Sequence, residues 1–184
     1  MKIPDYDTCR RLLDAFAVPD HIIEHSCQVA RVSVCLGEGL RRQGLDFDLE
    51  LLASAGLLHD IAKMASLESG EDHAELGAVW LERKGYVEVA EIVRNHVQLK
   101  TDLDGPPAAK EIVFYADKRI RHAEIVSVAE RMQDLKVRYG RDRRSLVWLD
   151  ELERFTLRVE DKLFSRLDFP PARIASRAAA IKIC

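Results

Sequence analysis

Leu57-Leu58-His59-Asp60-Ile61-Ala62-Lys63 has the composition of a buried helix end, yet a histidine and a carboxylate interrupt it side by side. Burying such a pair without partners is costly. A metal ion is the natural compensation, because imidazole and carboxylate both ligate first-row metals. The same oddity recurs outward along the chain, where helical periodicity dominates and no period-2 strand stands out. His25, His59, His73, His96 and Asp117 each fall on or beside the apolar stripe of a different expected helix, and Asp60 is beside His59. Taken singly, each is more simply a hydrogen-bonded core residue. All of them together need partners, and shared metal binding supplies those at once.

The helices expected around these residues run in sequence. One covers about residues 6–16 and stops before Pro19. A second covers about 20–40, placing His25 on one face with Val29, Val32 and Leu36. Asp46 or Asp48 can cap a third, which carries Leu52, Ala55, His59 and Ala62 on one face. Residues 66–72 are polar, contain Gly70 and read as a loop at the rim of a site. Helices over about 73–84, 87–97 and 108–139 carry His73, His96 and Asp117. A last long helix spans about 146–167, stopped by Pro170-Pro171, with a short helical tail. The expected fold is an all-α, single-domain helical bundle: residues 1–19 an N-terminal helix, 20–139 the core, and 140–184 a helical extension of the same domain.

Composition narrows the function classes. Hydrophobic residues make up 47% and charged residues 32%, as in a soluble globular domain. Lys and Arg number 28 against 31 Asp and Glu, a net charge of −3, so no nucleic-acid or membrane partner is expected. Cys9, Cys27, Cys35 and Cys184 form no Cys-x-x-Cys pair and read as reduced thiols of a cytoplasmic protein. The N-terminus is too polar for a signal peptide, and no apolar run reaches the ~20 residues of a membrane span.

Neighbouring residues on a helix point about 100° apart, so His59 can face one ion while the two oxygens of Asp60 reach another. Lys63, four residues beyond His59, lies on the same face, where an ammonium suits a phosphate oxygen. The plainer alternative is a solvated cation offsetting the helix C-terminal dipole. Lys118 and Arg121 are further phosphate candidates, against a salt bridge or a solvated face. His21 is expected at the surface, and His122 has no evident partner. Trp80 and Trp148 read as core rather than stacking platforms, and the basic run from Lys136 to Arg144 as a charged turn between helices.

The ordered set His25, His59-Asp60, Asp117 resembles the H…HD…D signature of the HD superfamily of metal-dependent phosphohydrolases. Residues 57–63 are similar to that family's "LLHDIGK" or "LLHDIAK" context, with Ala62 in the position many members give to glycine. Tyr115-Ala116-Asp117-Lys118 is similar to its "xAD" motif. His73 in His-Ala-Glu-Leu-Gly-Ala and His96 in Ile-Val-Arg-Asn-His resemble the dinuclear branch, in particular bacterial HD-type diadenosine tetraphosphate hydrolases. The resemblance covers about residues 20–130. No Gly-Tyr-Pro motif follows, which speaks against the cyclic di-GMP branch, and Lys118-Arg119-Ile120-Arg121-His122 departs from the tetraphosphate enzymes.

The resemblance implies an HD-domain-like bundle and a phosphomonoesterase, phosphodiesterase or pyrophosphohydrolase that uses metal-activated water. It implies two divalent ions among Fe, Mn, Co, Ni, Zn or Mg. His25, His59 and Asp117 would hold one, His73 and His96 the other, and Asp60 both. Asp60 and Lys63 are the candidate catalytic residues, with Lys63, Lys118 and Arg121 on phosphate. The expected partner is a small phosphorylated substrate such as a nucleotide, with a homodimer possible through the last long helix. Two alternatives stay open: a non-catalytic HD-fold binding or regulatory protein, and an HD-type di-iron oxygenase.

Overall fold

Asp5 starts the first helix, its carboxylate accepting the Thr8 amide at 2.8 Å. In the computed structural model, which describes residues 2–184, this helix is α1 (Tyr6–Ala15) and is followed by α2 (Asp20–Arg42). Val29, Val32 and Leu36 are fully buried along α2. Asp48 opens α3 (Leu49–Leu58) by accepting the Glu50 and Leu51 amides. The two helices cross closely at Gly56, where a Cβ would fall 2.6 Å from the Cα of Ala30. Together with α7 (Ala109–Asp117), they form the centre of the molecule.

Between α3 and α7 come α4 (Lys63–Ser69), α5 (His73–Arg83) and α6 (Val87–Arg94). Of the loop expected over residues 66–72, α4 takes 66–69 and only 70–72 remain as a short link to α5. Gly70, at φ 77°, terminates this helix in the left-handed conformation, so the glycine marks a C-terminal cap and not a loop centre. Asp72 then caps α5 through the Ala74 and Glu75 amides.

The single long helix expected over about residues 108–139 is in fact two. After Asp117 the chain forms a small antiparallel hairpin, β1 (Ile120–Arg121) with β2 (Glu124–Ile125), before α8 (Val128–Tyr139) begins at a Ser127–Glu130 capping box. His122 makes the turn at φ 57°. The last long helix, α9 (Arg143–Phe164), starts and stops about three residues before its expected limits; its start is set by Asp142, which caps it through the Ser145 amide. Lys136 of α8 lies 2.7 Å from both Asp150 and Glu153 of α9, which ties the two together. A 3₁₀ turn (Pro171–Arg173) and α10 (Ile174–Ala178) complete an all-α fold, the hairpin apart. Among the described residues, no helix is long and apolar enough to cross a membrane.

The expectation of four reduced thiols is corrected: Cys27 and Cys184 form a disulfide, while Cys9 and Cys35 are free and buried. Arg31 supports the same closure by donating two hydrogen bonds, of 3.1 and 2.9 Å, to the Ile183 carbonyl. The bond joins positions 157 residues apart, so it constrains the unfolded chain strongly. Reduction, or Cys184→Ser, is expected to cost about 2–5 kcal/mol and to lower Tm by roughly 5–15 °C. Thermal melts with and without reductant check this, and coincident melts would contradict it.

Candidate metal centre

The ends of several helices meet at one place. His25 lies in the second turn of α2, and His59 and Asp60 follow the last residue of α3. His73 is the first residue of α5, His96 stands just beyond the end of α6, and Asp117 is the last residue of α7. His59 and His96 thus leave their helices where the sequence pattern places them within helical faces. The tight turns carrying them direct their rings inward, and both are almost wholly buried.

The backbone sets the rings. His59 Nδ1 donates to the Gly56 carbonyl at 2.8 Å, and His96 Nδ1 to the Val93 carbonyl at 2.7 Å. His25 Nδ1 donates to the His122 carbonyl at 3.0 Å. A carbonyl oxygen only accepts, so each Nδ1 carries the hydrogen and each neutral ring presents a bare Nε2 inward. Burial depresses the pKa of His59 to about 3 and lowers that of His96, favouring the neutral ring in both.

These nitrogens face carboxylates and one another. His25 Nε2 is 3.0 Å from Asp117 Oδ1, and His59 Nε2 is 3.8 Å from the same oxygen and 3.6 Å from Asp60 Oδ2. Asp60 Oδ1 lies 3.1 Å from His73 Nε2 and 3.5 Å from His96 Nε2. The His73 and His96 Nε2 atoms are themselves 3.1 Å apart. Burial pushes both carboxyls upward. It is outweighed at Asp60 by His59, by His73, whose Nε2 lies within hydrogen-bond reach, by the neighbouring His96 and by Lys63; at Asp117, by Lys118, His25 and His59. Both acids are held well below the usual carboxylate range.

The donor set fits metal ions. His59 Nε2 is buried with no hydrogen-bond partner, an unsatisfied group that a cation would satisfy. Among the described residues, two groups have all their ligand atoms within 4.8 Å of one another: His25, His59 and Asp60, and Asp60, His73 and His96. Asp60 is common to both, and Asp117 adjoins the first.

The three candidate phosphate cations fare differently. Lys63 Nζ stands 3.4 Å from Asp60 Oδ1 with its side chain about a third exposed. Lys118 is buried, bonded to Asp117 Oδ2 at 2.8 Å and the His96 carbonyl at 2.6 Å. Arg121 sits on the hairpin, paired with Glu124 at 2.9 Å, and does not line the cavity at the site. That cavity, about 480 Å³, is lined instead by Arg131, Tyr139 and Trp148 beside His25, His73, His96, Asp60, Asp117 and Lys63. Trp148 is 44% exposed, so its expected place in the core is corrected. Trp80 stacks on Phe16 with ring centroids 4.3 Å apart. His21 is exposed, as expected. His122, which had no evident partner in the sequence, orients His25 through its backbone carbonyl, and its ring Nε2 accepts from Arg138 at 2.7 Å.

A family model described as "HD domain" matches residues 22–135. An uncharacterized protein of Methanocaldococcus jannaschii is 26% identical over 141 residues, covering 69% of this chain and 82% of that protein. A tRNA (cytidine(56)-2′-O)-methyltransferase of Thermoplasma volcanium is 31% identical over 144 residues, or 67% of this chain, which spans 40% of that protein's length. No solved structure matches.

Proposed function

Given that the chain belongs to the HD-domain superfamily of metal-dependent phosphohydrolases, we propose that it hydrolyses a small phosphate ester, such as a nucleotide, at a two-metal centre. The observation that carries this is Asp60, the one residue shared by two groups of converging ligands. In this reading His25, His59 and Asp117 would hold one ion and His73 and His96 the other, with Asp60 a candidate ligand of each. Bound there, such ions supply Lewis acidity and a water of lowered pKa. The chain's own residues then have distinct tasks. The Gly56, Val93 and His122 carbonyls fix the tautomers of His59, His96 and His25. Lys118 holds Asp117 in place. Residues 20–139 carry the ligands, and α8 together with the 140–184 extension walls the cavity.

Lys63 is the residue placed to meet a phosphoryl oxygen, since its ammonium sits at the rim beside Asp60 in a long contact of 3.4 Å. Lys63→Met is expected to lower kcat/KM for phosphate esters by roughly 10–100-fold, the worth of one hydrogen bond to a charged group. Metal content should not change. Phosphate-release assays beside metal analysis check this, and unchanged kinetics would remove Lys63 from the reaction.

The reading as a whole is tested by supplying Mn, Co, Ni, Fe or Mg and screening phosphate esters for release of phosphate. Turnover with at least one of these ions is the expected result. Tight metal binding with no ester hydrolysed would contradict it and favour a binding or oxygenase role.

A further inference from the structure

We infer that the outer half of the cavity, walled by α8 and α9, selects a phosphomonoester whose organic part is a flat, uncharged ring. This rests on the hydrolase reading above and specifies its substrate class. The cavity runs from the ligand cluster outward between Leu135 and Tyr139 of α8 and Trp148, Leu149 and Leu152 of α9. Its volume of about 480 Å³ is that of a small-molecule site. Tyr139 and Trp148 are 53% and 44% exposed. Large aromatic faces left open beside a cluster of buried ligands suit a planar group that stacks on them.

Charge decides between one phosphate and several. Three cations line the cavity: Lys63, Lys118 and Arg131. Lys118 is already bonded to Asp117 and to the His96 carbonyl, and Arg131 is paired with Asp134 at 2.8 Å. Lys63 has only a long contact, at 3.4 Å, and Arg131 keeps a buried Nε with no hydrogen-bond partner. One phosphoryl group at the ligand cluster can be neutralised there. A second and third would lie farther out along Leu135, Leu149 and Leu152, where only Arg131, its charge shared with Asp134, could meet them and an unpaired charge is strongly disfavoured. The wall therefore suits an apolar ring and works against a polyphosphate chain, unlike the dinucleoside tetraphosphate that the sequence resemblance suggests.

The test uses the metal-loaded full chain, with 1-naphthyl phosphate as the ring-bearing ester and methyl phosphate as the ringless one. Trp148→Ala, a substitution at a partly exposed helix position, is expected to reduce the ratio of kcat/KM for naphthyl over methyl phosphate on the order of 10-fold. The loss should appear mainly in KM, and Trp148→Phe should restore much of it. Independently of turnover, 1-naphthyl phosphate should quench tryptophan fluorescence in the natural protein and not in Trp148→Phe. A dinucleoside tetraphosphate should compete at least about 10-fold more weakly than a mononucleotide. An unchanged ratio in Trp148→Ala, or tighter binding of the tetraphosphate, overturns the inference. Quenching through Trp148 without hydrolysis of any ester would overturn the hydrolase reading while leaving the ring-binding wall standing.

Discussion

Asp60→Asn is expected to remove both ions and to lower kcat/KM by on the order of 10³, a loss of about 4 kcal/mol in transition-state stabilisation. The substitution keeps the shape of the side chain and removes its charge. In the native protein one Asp60 oxygen lies within 3.5 Å of both the His73 and His96 nitrogens, and the other lies 3.6 Å from His59. Without that carboxylate, neutral imidazoles would have to hold the second ion alone and the first with Asp117 only. His73→Ala and His96→Ala remove ligands from one group alone and should each leave one ion in place. Metal content, far-UV circular dichroism and phosphate release measured together separate loss of metal from loss of fold. An Asp60→Asn protein that retained both ions and its activity would remove the shared residue from the proposal.

Gly56→Ala carries the second large effect, this time on the scaffold. A Cβ at position 56 would lie 2.6 Å from the Cα and 2.8 Å from the amide nitrogen of Ala30. These are backbone atoms of α2 that cannot rotate aside, so α2 and α3 must separate. Overpacking of this kind costs about 3 kcal/mol. The same shift moves the Gly56 carbonyl that holds His59 Nδ1, so metal affinity should fall by about 10–100-fold, as when an orienting partner of a ligand is lost. Gly77→Ala provides the contrast, since its nearest neighbour is a side-chain methyl of Ile61 at 3.2 Å, which can give. Urea unfolding and metal titration of the two variants check this. A Gly56→Ala protein within about 0.5 kcal/mol of the natural one would contradict it.

The candidate ligands were legible because their chemistry conflicts with their surroundings. Histidines and acids at apolar helical positions stand out from sequence, and the structure brings all six together. What sequence conceals is where helices stop. Residues 118–125 contain neither Gly nor Pro, so nothing announced the break after Asp117. It is made by His122 in the left-handed conformation, with Arg119 pairing with Glu160 instead of lying on a continuous helix face. Gly70 misled in the opposite direction, because a glycine that caps a helix and one that centres a loop look alike in sequence. Trp148 was misread because an apolar residue facing a cavity follows the same periodicity as one facing the core. Arg121, four residues beyond Asp117, would share its face only on an unbroken helix, and the hairpin places it elsewhere. The Cys27–Cys184 pairing depends on the return of a segment 157 residues away, which spacing cannot reveal.

The most direct test of the two-metal centre is the number of ions bound per chain, measured by elemental mass spectrometry on metal-loaded protein. The natural chain should hold two, His73→Ala one and Asp60→Asn none. A natural chain that binds no ion, or one whose single ion survives in Asp60→Asn, would contradict the shared-carboxylate arrangement.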